Sequence, residues 1–131
     1  MVSALYVVLG ALFIMKFSFD VVRMRRQYRV AYGDGGFWEL QNAIRVHGNA
    51  VEYLPLGGLL LTVMEMNGAD VWMVHFGGIL LLLGRVMHYV GMHRRDIRWR
   101  RNGMIATYLA LLFGIAMNLV FMPWDLMLSI K

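Results

Sequence analysis

The strongest constraint on this chain is a succession of apolar segments at membrane-spanning length. Val2 to Phe19 is apolar apart from Ser3 and Lys16, and similar runs fill the second half of 37–66, most of 71–92, and 103–121. A span needs about 20 apolar helical residues to cross a ~30 Å hydrocarbon core. Hydrophobic residues make up 60% of the chain and charged residues 16%, against ~45–50% and ~25% in a soluble domain. The expected fold class is an all-α integral membrane protein, a bundle of four transmembrane helices forming one domain over 1–131. The first run lacks a basic leader and a small-residue cleavage pattern, so it reads as a retained span.

The net charge of +5 resembles a nucleic-acid signal until the charges are located. Arg23, Arg25, Arg26 and Arg29 form one cluster; Arg94, Arg95, Arg98, Arg100 and Arg101 form another. Lys16, Arg45 and Arg85 lie in or near apolar runs, and Lys131 ends the chain. With four spans the two clusters fall on one side, as the positive-inside rule requires of cytoplasmic loops. The N- and C-termini then lie on the non-cytoplasmic side. The basic excess is a topology signal, and no nucleic-acid partner is implied. There are no cysteines, so the protein supplies no thiol of its own, and no metal-ligand spacing appears.

Taken in order, the first helix runs from Val2 through the first basic cluster, with Lys16 and Asp20 placed for an i,i+4 pair. Gly33-Asp34-Gly35-Gly36 is a turn. A second helix follows from Phe37 to Met66, with Pro55 expected to kink it. Asn67 to Asp70 is a turn ending in a candidate N-cap. The third span runs from Val71 to Met92, and the fourth opens at Asn102-Gly103 and runs to Phe121.

The second helix carries a polar stripe: Gln41, Arg45, Asn49 and Glu52 fall within about 80° of one another at 100° per residue. Such a stripe is costly against lipid, so it should face protein or water and counts as a site by default. Arg85, His88, Tyr89 and Met92 fall within about 100° on the third helix, at the same depth. Arg45 and Glu52 lie about two turns, or ~10 Å, apart, the reach of an extended tripeptide. Arginine binds carboxylate, glutamate accepts from ammonium, and asparagine serves an amide. The stripe suits a small zwitterionic peptide; the alternative is that Arg45 and Glu52 pair within the bundle. His47, opposite Arg45, reads as packing or interfacial, and His75 as structural.

The pattern Arg45-x-x-x-Asn49-x-x-Glu52-Tyr53-x-Pro55 on the second of four helices resembles the membrane-associated proteins in eicosanoid and glutathione metabolism, the MAPEG family. Gly84-Arg85-Val86-x-His88 resembles a third-helix piece of prostaglandin E synthase, and Arg25-Arg26-Gln27-Tyr28-Arg29-Val30 the first-helix end of leukotriene C4 synthase. The resemblance implies a homotrimer in the lipid bilayer of a bacterial inner membrane. Glutathione would be a co-substrate held between subunits and open to the cytoplasm, with a lipophilic electrophile or hydroperoxide as partner substrate. Arg45, Asn49, Glu52, Tyr53, Arg85 and His88 would bind it, with Arg26 joining from the neighbouring subunit. An arginine near the start of the fourth helix would stabilise the thiolate, and Arg98 and Arg101 are the candidates, with Arg101 preferred as adjoining the helix start. Met92 stands where the family pattern has a tyrosine, and Tyr89 is the candidate substitute. That departure leaves a catalytically inactive binding or assembly module as the alternative. A small four-helix exporter fits less well, because its first-span carboxylate is replaced by Lys16.

Overall fold

The computed structural model describes residues 1–129, so Lys131 lies outside the described residues. Regular structure within them is entirely α-helical. Four long helices, α1 (Ser3–Tyr28), α2 (Trp38–Met66), α3 (Val71–Arg94) and α4 (Ile97–Phe121), are followed by one turn, α5 (Trp124–Met127). α2 packs against α1, α3 and α4, and α1 also meets α3. α1, α3 and α4 are long and apolar enough to cross a membrane. α2 has 29 residues, about 43 Å at 1.5 Å each, and is not among the three helices apolar enough to cross by composition.

Each long helix leaves an apolar side uncovered. Leu12 and Phe19 on α1, Leu59 on α2, Ile79 on α3 and Leu112 on α4 are all more than half exposed. That much bare apolar surface is untenable in water and ordinary in lipid. Tryptophans mark both ends, with Trp38 and Trp99 near the arginines and Trp72 and Trp124 at the other end.

Glycine lets α3 and α4 touch backbone to backbone. A Cβ at Gly84 would stand 2.6 Å from Thr107 Oγ1 and 2.9 Å from the Gly103 carbonyl, and one at Gly91 would overlap the backbone of Arg100. Small residues permit such approach in membranes, where packing rather than hydrophobic exclusion joins helices. Gly84 and Gly91 lie seven residues apart on α3 and keep this seam on one side.

Several expectations hold. Lys16 Nζ pairs with Asp20 Oδ2 at 2.6 Å. His75 is structural, its Nδ1 bonded to the Tyr6 hydroxyl. α2 passes through Pro55 without ending. Asp70 occupies the N-cap of α3, as expected, although its side chain makes no capping bond. One local reading is corrected. α4 begins at Ile97, ahead of Asn102, because the Asp96 side chain accepts from the Arg98 backbone N–H and caps it there. Much of the second arginine cluster is therefore the first turns of a helix.

Candidate functional site

At the arginine-rich end α2, α3 and α4 enclose a cleft of about 260 Å³, lined by Arg45, Gly48, Asn49, Glu52, His88, Met92 and Arg100. The α2 stripe supplies its long wall, since residues three and four apart share a helix face. The glycine seam sets the opposite wall. Because Gly91 and Gly103 admit no side chain, His88 and Arg100 are brought within one backbone contact of each other's helices. A second cleft, also about 260 Å³, adjoins it, lined by Asn42, Arg45, Met92, Arg95, Asp96 and Arg100 among others.

Arg85 lies behind the cleft wall and is 2% exposed. One of its guanidinium nitrogens donates to Asn49 Oδ1. The others reach Thr107 Oγ1, at 3.2 Å from Nε and 2.8 Å from the second terminal nitrogen, and the Met104 sulfur. The Tyr53 ring lies under it, 5.4 Å from Cζ to the centroid. Every one of these partners is neutral. Among the described residues the ion pairs are Lys16–Asp20 and Arg23–Asp20, so Arg45, Glu52 and Arg85 are in none. The alternative that Arg45 and Glu52 are spent on pairing within this bundle is not what the chain does.

The cleft gathers Arg45, Asn49, Glu52 and His88, with Arg85 and Tyr53 behind Asn49. The Tyr53 hydroxyl also meets that of Tyr108 on α4, at 3.3 Å. Tyr89 does not join them. It stacks on Phe17 of α1 and on His93, and lines a different cavity between α1, α2 and α3. Adjacent helical residues point about 100° apart, so the cleft takes His88 and α1 takes Tyr89. Gln41, Arg26, Arg98 and Arg101 are exposed and line neither cleft. Met92 is buried at 6% exposure and packs in the core, while its carbonyl accepts from Asn42 Nδ2 at 3.0 Å.

Two contributors escaped the sequence reading. Arg100 lines both clefts, and Thr107 holds the Arg85 guanidinium. With α4 starting at Ile97, Arg100, Gly103 and Thr107 repeat every three to four residues on the face toward α3, and that period was available in the sequence once Asp96 is read as a cap.

The site has a definite chemical character. Arg45 and Arg100 offer two cations for carboxylates, Glu52 an acceptor for an ammonium, and Asn49 and His88 neutral polar groups between them. The family model for the MAPEG family matches residues 3–120. The chain belongs to the MAPEG family. Among curated proteins, it is 66% identical over 131 residues to the inner membrane protein YecN of Escherichia coli strain K12, covering all of both chains. The YecN protein of Escherichia coli O6:H1 matches to the same degree. The resemblance carried by the second-helix motif is thus a family relationship, and the relatives are bacterial inner membrane proteins.

Proposed function

We propose that this MAPEG protein binds glutathione in the α2–α3–α4 cleft and uses it as the nucleophile or reductant against a lipophilic electrophile or hydroperoxide drawn from the bilayer. The observation that carries this reading is Arg85, a buried guanidinium whose partners are all neutral. A buried charge with no counter-charge is costly, and a bound anionic ligand relieves that cost. Glutathione brings two carboxylates and an ammonium, which answer to Arg45, Arg100 and Glu52 across the cleft. Tyr53 and Asn49 fix the Arg85 head group that backs it.

A thiol of pKa near ~8.5 is mostly protonated at neutral pH, and an adjacent arginine favours the reactive thiolate. Arg100 is the α4 arginine that faces this chain's own cleft, so we assign it that role. Arg98 and Arg101 on the same helix are exposed, as is Arg26 on α1, and we assign all three to contacts with a neighbouring subunit in a homotrimer. The chain would cross an inner membrane four times, with both termini outside and the cleft open to the cytoplasm. α2 supplies the fourth span, shielding its stripe within the assembly.

A specific observation keeps the inactive-module reading in play. Met92 occupies the tyrosine position as a core side chain, and Tyr89 faces away from the cleft, so no tyrosine from that turn of α3 reaches the thiol. The deciding experiment titrates purified protein with glutathione, comparing wild type with Arg45→Ala, Glu52→Ala, Arg100→Ala and Arg101→Ala. Saturable binding lost in Arg45→Ala and Glu52→Ala is expected, with thiolate absorbance of the bound thiol falling in Arg100→Ala. Absence of saturable binding, or indifference to Arg45→Ala, sinks the proposal. Binding without turnover across electrophiles and lipid hydroperoxides selects the inactive module.

A further inference from the structure

A larger cavity of about 340 Å³ lies between α1, α2 and α3, and the glutathione reading makes no use of it. Its floor is apolar: Phe17, Val46 and Met92 are 5%, 6% and 6% exposed. Its rim is charged, with Glu39 from the first turn of α2 and Asp20 from α1. The two carboxylates are not equivalent. Asp20 is held by Lys16 at 2.6 Å and Arg23 at 3.4 Å. Among the described residues Glu39 takes one hydrogen bond, from the Tyr28 hydroxyl at 2.6 Å, and no cation. A carboxylate has about four acceptor positions, so Glu39 keeps most of its capacity. Arg23 is 66% exposed at its side chain, where solvent and salt screen it.

We propose that this cavity is a binding site for an amphiphilic amine, its ammonium on Glu39 and its apolar body on the Phe17, Val46 and Met92 floor. The volume sits near the low end of small-molecule sites, about 300–1,000 Å³. It therefore admits an arylalkyl amine or a lipid headgroup with its first carbons, not a whole lipid. The Asn42–Met92 hydrogen bond walls it off from the clefts, since both residues line the cavity on one side and a cleft on the other.

The test uses the full chain in phosphatidylcholine nanodiscs, titrated calorimetrically with 2-phenylethylammonium and with uncharged 2-phenylethanol, against empty discs. The ammonium should saturate and bind about tenfold more tightly than the alcohol, the scale of one hydrogen bond to a charged group. Glu39→Gln should lose that advantage, and Val46→Phe, which fills the floor, should abolish binding. Tyr28→Phe frees the carboxylate and should retain it. Arg45→Ala should also retain it, so failure of the glutathione reading leaves this result standing. Repeating the titration in phosphatidylethanolamine discs separates the sources: competition assigns the site to a lipid headgroup, and unchanged affinity to a soluble amine. Equal binding of amine and alcohol, or a folded Glu39→Gln protein with wild-type affinity, overturns the proposal.

Discussion

At the Met66 end of the bundle, Glu65 accepts from the Val2 and Ser3 backbone N–H groups and from Ser3 Oγ, at 2.8, 3.1 and 2.7 Å. It caps the start of α1 from a neighbouring helix, and nearby Tyr6 and His75 satisfy each other. At the arginine-rich end, Arg85 has neutral partners alone, while Arg45, Glu52 and Glu39 take part in no ion pair among the described residues. Both ends bring polar groups into an apolar protein. One end spends them on holding helices together; the other leaves charge unspent beside open volume. Charge retained at such cost is better explained by a ligand than by architecture.

Three substitutions test that contrast. The largest effect is expected from Gly91→Val, since the new side chain must displace the α4 backbone at Arg100. Overpacking there should cost about 3 kcal/mol or more, read as a lower denaturation midpoint together with lost glutathione binding. Next comes Arg85→Met. Removing a buried, unpaired cation should leave stability equal or raised, while glutathione affinity falls about 30-fold, or ~2 kcal/mol. A loss of stability matching the loss of binding would make Arg85 structural and erase the distinction between the ends. The smallest is Ser3→Ala, which removes one partly buried bond to Glu65. It should lower stability by about 1 kcal/mol and leave glutathione affinity untouched; a binding defect would show that the ends are not separate.

Much of this contrast is legible in the residues. The bounds of α2 and α3 follow from the Gly33–Gly36 and Asn67–Asp70 turns and agree with the structure to within two residues. Arg45, Asn49 and Glu52 share a cleft because spacings of three and four put them on one helix face, while Gln41, one turn earlier on that face, lies outside it. Less legible was anything that depends on the start of α4. Reading 98–101 as a loop hid the face shared by Arg100, Gly103 and Thr107, and left Arg98 and Arg101 as the candidates. Tyr89 lies apart from the cleft for a related reason. A 100° window on one helix does not say which neighbour claims which edge, and Phe17 claims this one. The Glu65 cap joins residues more than 60 positions apart, and no local pattern announces such a bond.

The single bond from Asn42 to the Met92 carbonyl has a thermodynamic consequence. It is the partition between two cavities, and Met92, with its flexible thioether, borders both of them and the neighbouring cleft. A molecule that seats itself on one side and reorients that partition changes the shape offered on the other. Any such effect is reciprocal: whatever factor an amine imposes on thiol affinity, the thiol must impose on the amine.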